Sequence, residues 1–347
     1  MLGIALSPED SMSTPAVAIR DHRINWIQSL PFFAFHLFAA VAVFFVPFHW
    51  SYVVWAVALY YLRMWLVTTT YHRYFSHRTF KTSRVFQFVL AFLAETSAQK
   101  GVLWWAANHR HHHRESDQPA DVHSPLQDGF WWSHVGWILS DKYTETREEA
   151  IRDFARFPEL RFLNRWYLLP PFLLAVGLFL IGGFPLLVWG FFVSTVVLWH
   201  GTFTINSLSH VFGSRRYKTT DTSRNNFLLA LITCGEGWHN NHHYHQNTAN
   251  QGWFWWEVDL SYYSLKALSW VGLVSDLRTP SEQVKNVYLK YTPEERAALN
   301  APVRIPWFAP VAARKKAAEE KVREALAAAA ERLPSSAPAP QPLLERQ

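Results

Sequence analysis

The chain carries two copies of one pattern, H-x-x-H-H: His109-Arg110-His111-His112-His113 and His239-Asn240-Asn241-His242-His243. Upstream lies a first cluster, His72-Arg73-Tyr74-Phe75-Ser76-His77, which makes the two copies the second and third, and Asn206-Ser207-Leu208-Ser209-His210 lies between those two. On a helix, residues three and four apart share a face, whereas adjacent ones diverge by about 100°. The first His of each pattern therefore shares a face with both members of the pair, while the pair itself points two ways. Such a helix can serve two neighbouring metal ions. Asn206 and His210, four apart, also share a face. His72 and His77, five apart, diverge on an ideal helix, which predicts that the helix ends or distorts near His72. A single His-His pair is usually a bystander; the repetition, in a chain with 17 His, is what points to metal. Imidazole suits Zn, Cu, Fe and Ni. Zinc alone uses three or four ligands per ion, and the nine imidazoles of these clusters, leaving out His111 at an x position of its pattern, suffice for two ions with an open position.

The elements that must position these residues are legible in the charge pattern. The chain has 347 residues, 50% apolar, with 18 Trp. No Asp, Glu, Lys or Arg occurs in the 39 residues between Arg23 and Arg63, or in the 49 between Arg165 and Arg215. A bilayer crossing takes ~20 apolar helical residues, so each run holds two. Each also has a turn near its middle, Pro47-Phe48-His49-Trp50 and Gly182-Gly183-Phe184-Pro185. The alternative, a soluble core of buried helices, rarely produces two such runs together. The expectation is an all-α integral membrane protein with four transmembrane helices in two hairpins, at residues 27–46, 52–70, 166–181 and 186–207. The mid-run turns lack Lys and Arg, while Tyr71 to Arg165 contains 13. By the excess of basic residues on the inner side, both termini, the central segment and all four clusters face the cytoplasm. Residues 1–23 read as a cytoplasmic arm, 24–310 as the membrane domain, and 311–347 as an Ala-rich helix and Pro-rich tail. The net charge of +6 suits an anionic leaflet or anionic substrate head. There is no nucleic-acid motif, and the one cysteine, Cys234, allows no intrachain disulfide and reads as a packed thiol.

Smaller features carry expectations of their own. Arg63, near the end of the second span, either snorkels to the interface or lines a substrate passage. Val85 to Ala94 is too short to cross and reads as an interfacial helix. Trp104-Trp105 reads as an interface anchor rather than a substrate wall. Asp117, Asp121 and Asp128 could orient ligand imidazoles through the second ring nitrogen, although any one of them reads first as a solvated loop acid. Lys142 to Arg165 reads as a solvated helix face. Pro170-Pro171 is expected to kink the third span. His200 reads as a buried neutral imidazole with a hydrogen-bond partner, and Trp253 to Trp270 as a second interfacial helix.

A metal site at the mouth of an apolar bundle in lipid suggests an acyl chain as substrate. No side-chain base removes a proton from an unactivated methylene. Iron with dioxygen can supply the oxidant, two electrons are needed per turnover, and no haem or flavin motif is present, so the donor is a separate protein. The four clusters, with Gly235-Glu236-Gly237-Trp238 before His239 and Ser133-His134-Val135-Gly136-Trp137 after the second, resemble the membrane-bound fatty acyl desaturases of the stearoyl-CoA Δ9 type over roughly Trp50 to Leu277. The resemblance implies four transmembrane helices under a cytoplasmic helical cap that holds two irons. It implies His72, His77, His109, His112, His113, His210, His239, His242 and His243 as ligands, Asn206 as holder of a water on the metal, and His111 at a variable, non-ligating position. It further implies O2-dependent insertion of a cis double bond, with electrons from a ferredoxin or cytochrome b5. His243-Tyr244-His245-Gln246-Asn247 looks bacterial, which places the protein in a bacterial inner membrane.

Two other readings remain at this stage: a fatty acid or alkane hydroxylase with the same kind of site, and a membrane metal-binding or transport protein. The latter expects an ionisable path through the spans, where only His36 and His200 fall. The double-bond position and the carrier of the acyl chain, whether CoA, carrier protein or phospholipid, stay open. Arg63, Lys100, Arg110 and Arg114 are candidates for an anionic head group.

Overall fold

The computed structural model describes residues 23–307 and Arg323. The expected cytoplasmic arm and the Ala-rich helix and tail therefore lie almost wholly outside the described residues. Helix α1 (Trp26–Ala42) starts where Asn25 accepts a hydrogen bond from the Gln28 amide, an N-cap that satisfies an otherwise orphaned donor. After a turn, α2 (Trp50–Leu66) begins with His49 capping the Ser51 amide. It runs without a break into a π-helical stretch, Val67–Ser76. Helices α3 (Arg84–Glu95) and α4 (Val102–Glu115) follow. Then come short turns, α5 (Leu169–Leu186), a second π-helical stretch (Leu187–Val193) and α6 (Ser194–Asn206). The last labelled elements are α7 (Phe227–Ile232), α8 (His239–Tyr244) and α9 (Leu260–Trp270). Among the described residues, strands are confined to one antiparallel pair, β1 (Lys81–Thr82) with β2 (Val274–Ser275), and isolated bridges, so the fold is mostly helical as expected.

Among the described residues, three helical segments are long and apolar enough to cross a membrane: Trp26–Phe45, Trp50–Ser76 and Leu169–His210, of 20, 27 and 42 residues. In the first and third, 17% of the most apolar window is buried within the protein. Rows of exposed Phe, Leu and Val on these helices are what a lipid environment accepts and water does not. The 42-residue segment is not straight. Gly182 and Gly183 leave helical geometry, Gly183 with φ +63°, a conformation glycine adopts without steric cost. Beyond them the chain doubles back, since a Cβ added to Gly190 would lie 3.5 Å from Leu178. Pro170 and Pro171 do not kink the helix. They occupy its first turn, where the missing N–H would have had no partner.

The main core lies around the end of α2. Tyr71, Phe75, Leu90, Ala91, Leu103, Leu160 and Leu163 pack around the π-helical end of α2 and against α3 and α4. Each large apolar side chain fully buried there contributes about 1.5–3 kcal/mol. The stretch from Lys142 to Arg165 is not one helix. It breaks into short turns before a helix at Pro158–Arg165, whose Leu160 and Leu163 reach this core.

Candidate metal centre

The five-residue interval from His72 to His77 is explained by the π-helix. There the backbone hydrogen bond runs from i+5 to i, and the His77 amide donates to the His72 carbonyl at 3.2 Å. The wider turn returns His77 to the side of His72, with ring centroids 4.8 Å apart. The predicted distortion near His72 is thus a change of helix type. Helix α4 presents His109, His112 and His113, and α8 presents His239, His242 and His243, with the divergence expected of H-x-x-H-H. His210 comes from a single 3₁₀ turn just after α6.

These nine imidazoles meet in two sets. His72, His77, His109, His113 and His242 form one; His112, His210, His239 and His243 form the other. In each set, one ligand-type atom from every residue lies within 4.8 Å of the rest. In the first, Nε2 atoms approach one another along a chain: His72 to His242 3.0 Å, His242 to His113 2.9 Å, His113 to His109 2.9 Å, His109 to His77 3.0 Å. In the second, the Nε2 atoms of His210 and His239 are 3.2 Å apart.

Carboxylates decide which nitrogen points inward. His72 Nδ1 lies 2.5 Å from Glu236, His112 Nδ1 2.8 Å from Asp121, His210 Nδ1 3.3 Å from Asp117, and His243 Nδ1 2.6 Å from Asp221. A neutral imidazole has one N–H. Where a carboxylate takes it at Nδ1, Nε2 is left with a lone pair. Converging lone pairs at about 3 Å repel unless a cation lies among them. His243 Nε2 is buried with no hydrogen-bond partner at all. Both facts fit a metal. The first set offers five imidazoles, one more than the four ligands of a closed tetrahedral zinc site.

Protonation states agree with this. Burial, reinforced by neighbouring imidazoles, pushes His77, His109, His113, His239 and His242 well below the ordinary imidazole value, so they are neutral near pH 7. Burial alone would raise the carboxyls. Instead, His112 holds Asp121 down to about 2, and His210 and His243 hold Asp117 and Asp221 well below the carboxylate range.

Asp117 and Asp121 are thus buried partners of imidazoles, not solvated acids, whereas Asp128 is buried at the end of a short helical turn. Asp221 and Glu236 have the same role and were not singled out from sequence; Glu236 carries the only local signal, its place inside the third cluster's motif. Glu236 also bonds Arg73, which bonds both oxygens of Asp259, so the first and third clusters are tied through a buried ion-pair chain. Asn240 and Asn241 are occupied as well. Asn240 accepts from the amides of Arg216 and Tyr217, and Asn241 donates to Glu257 and the Gln251 carbonyl. His123 forms a third group with His112 and Asp121 and was also missed; its signal was only the Asp-x-His spacing. His111 points away, to the Ala120 carbonyl.

An apolar cavity of about 540 Å³ runs up to the first set and is lined by His109, Asn206 and His123. Trp104 and Trp105 are part of its wall, which corrects the reading of them as interface anchors. Trp104 stacks on Trp137, and Trp105 on His109. Of the four candidate head-group cations only Lys100 lines this cavity, where burial lowers its amine to about 8. Arg63 is fully buried between helices and donates to Thr195, Ser194 and the Thr96 carbonyl, so it neither snorkels nor meets a substrate. Arg110 is clamped by Asp153 and the carbonyls of Phe75, Ser76 and Ala150. It and Arg114 line a separate, open groove of about 660 Å³ that reaches His77 and His113. His200 does have its partners, His36 at 3.1 Å and His134 at 3.0 Å. Cys234 is a buried thiol that burial pushes up to about 12.

Nine imidazoles gathered into two sets able to hold metal thus lie beside an apolar cavity, in a helical chain with segments long and apolar enough to cross a membrane. Comparison narrows this: residues 48–271 match the fatty acid desaturase family, to which the chain belongs. It is similar to the palmitoyl-monogalactosyldiacylglycerol delta-7 desaturase of Arabidopsis thaliana, 39% identical over 72% of this chain and 68% of that one. The sn-1 stearoyl-lipid 9-desaturase of Anabaena variabilis is 36% identical over 74% of this chain and 94% of its own length. An acyl-CoA 5-desaturase of Anemone leveillei is 38% identical over 62% and 68% respectively. The protein is accordingly an enzyme, an oxidoreductase of the desaturase kind.

Proposed function

We propose that this protein uses dioxygen to place a cis double bond, at Δ9 by resemblance, into a saturated acyl chain. The observation that carries the proposal is the gathering of nine imidazoles in two sets at the end of an apolar cavity. His72, His77, His109, His113 and His242 would hold one iron, and His112, His210, His239 and His243 the other. Asn206, which lines the cavity beside them, would keep a water in place. With dioxygen, a pair of irons supplies the oxidising power to remove hydrogen from an unactivated methylene.

The chain's own residues do the positioning. Trp105 and Phe203 give the cavity aromatic walls that hold an acyl chain against His109 and keep water away. Asp117, Asp121, Asp221 and Glu236 hold protons on Nδ1 and so turn Nε2 inward. The open groove lined by Arg78, Arg110, Arg114 and Arg152 leads from the surface to His77 and His113. It suits an acidic one-electron carrier, a ferredoxin or cytochrome b5-type protein, because complementary charge speeds encounter.

The same reading puts four spans in the membrane. The 42-residue segment would be about 63 Å long if straight, twice the hydrocarbon thickness, and it reverses at Gly182-Gly183. The basic central segment argues for a cytoplasmic metal site in a bacterial inner membrane. The test is expression in a host that makes no unsaturated fatty acids, with double bonds mapped in its lipids and metal measured in the purified protein. Alkenes and two irons per chain are expected. Alcohols in their place would mean a hydroxylase, and protein without iron or product would leave the metal-transport reading.

A further inference from the structure

The mouth of the cavity has a chemically telling position. Its exposed lining residues are Gln28 and Pro31 in the first turns of α1, Leu168 and Phe172 at the start of α5, and Thr144 of the cap segment. Leu168 and Phe172 are 63% and 62% exposed, although both are large and apolar. Both α1 and α5 belong to segments of membrane-spanning length and hydropathy. The opening is therefore sideways, between the first turns of two spans, not upward through the cap. Exposed indoles flank both lips, Trp26 on α1 and Trp166 just before α5, with the Arg165 guanidinium 5.9 Å from the Trp166 ring. Tryptophan at the end of a span sits at the level of lipid head groups. The lips thus lie where a lipid's ester groups give way to its acyl chains.

Charge and length point the same way. The cavity lining holds one lysine, Lys100, and no arginine. A nucleotide thioester would bring several phosphate charges to a wall with one amine to meet them. A chain drawn from lipid leaves its head group in the interface. Phe191 and Asn206 both line the cavity. At 1.5 Å per residue, they are about 22 Å apart along the helix, more than the ~15 Å of hydrocarbon in one leaflet. The space accommodates a whole membrane acyl chain.

We propose that the cleft between the first turns of α1 and α5 is a lateral portal, through which the acyl chain of an intact membrane glycerolipid passes from the leaflet to the histidine centre while its head group stays at the interface. The proposal rests on the desaturase reading for what happens to the chain, but not for its binding. The experiment uses the full-length protein in liposomes with two photoactivatable probes: a phosphatidylcholine with a diazirine in mid-chain, and the same acyl chain as its CoA thioester. Labelled peptides are mapped by mass spectrometry. The phosphatidylcholine probe is expected to label Phe32, Trp105 or Phe203 inside the cavity. Leu168→Arg, which puts a charge on the apolar lip, is expected to cut that labelling at least tenfold, while labelling of the outer faces of α1 and α5 persists. Leu168→Ala is expected to keep it. Lipid labelling confined to the outer faces, or cavity labelling by the thioester alone, overturns the portal. Labelling needs no turnover, so cavity labelling in a protein that makes no alkene supports the portal and sinks the desaturase reading. Alkene production with thioester-only labelling does the reverse.

Discussion

His242 occupies the centre of the first set. Its Nε2 lies 3.0 Å from that of His72 and 2.9 Å from that of His113, so it joins the first cluster to the second. His242→Ala takes one imidazole from the middle of the set and leaves the others facing a gap. The expected outcome is loss of product and of about one metal ion per chain, with membrane insertion intact; wild-type product from this variant would remove His242 from the ligand set. Asp221→Asn is a finer change. An amide oxygen can still accept from His243 Nδ1, but the charge that favours that proton is gone. Such partners of ligand imidazoles typically matter 10–100-fold for metal affinity. A metal-competition titration should show a fall of about that size in one of two sites, and equal affinities at both sites would mean that Asp221 does not tune His243.

At the level of elements, one hard constraint is the approach of α7 to the turn that starts α8. A Cβ on Gly237 would lie 2.0 Å from the Ala230 amide nitrogen and 2.4 Å from the Asn226 carbonyl oxygen, backbone atoms that cannot swing aside. Gly237→Ala is expected to cost about 3 kcal/mol or more, read as a lowered thermal midpoint in detergent together with lost metal. Gly177→Ala is the control, since its added methyl meets nothing within 4 Å, and in a helix interior it should stabilise by about 0.5–1 kcal/mol. A melting point equally lowered by both changes would rule out the steric account. These elements also show what a sequence can reveal. The H-x-x-H-H helices and the charge-free runs follow from ordinary helical periodicity, so α4, α8 and the spanning segments were readable. The π-helix was not, because its only trace is a five-residue interval that ordinary periodicity scores as a mismatch. Asp221 and Glu236 were hidden for a different reason: their partners lie 22 and 164 residues away, and no local spacing encodes such a pairing. Trp104 and Trp105 misled because an indole looks alike in sequence whether it faces lipid or a cavity.

For the whole molecule, the histidine centre gathers side chains that lie as far apart in sequence as His72 and His243, and it makes stability depend on pH in a definable way. Five imidazoles, His77, His109, His113, His239 and His242, are held well below their ordinary value of 6.5 by burial first and by the neighbouring His72 or His243 second. The unfolded chain takes up these protons near pH 6.5, whereas the folded chain does not. A depressed imidazole therefore contributes stability that is complete above pH 6.5 and declines as pH falls below it, at about 1.4 kcal/mol per pH unit for each group. Bound metal deepens the effect, because imidazole must be neutral to coordinate. The thermal midpoint of the metal-loaded protein should be flat from pH 7 to 8 and fall steeply below about 6.5, with more than one proton taken up. Chelation at pH 7.5 should lower the midpoint by several degrees through the lost binding energy and leave a shallower acid slope, the part that belongs to the protein's own buried imidazoles. A chelated protein whose midpoint is unchanged between pH 7.5 and 5.5 would mean that these rings are not buried neutral in the fold, and the two-set geometry would fall with them.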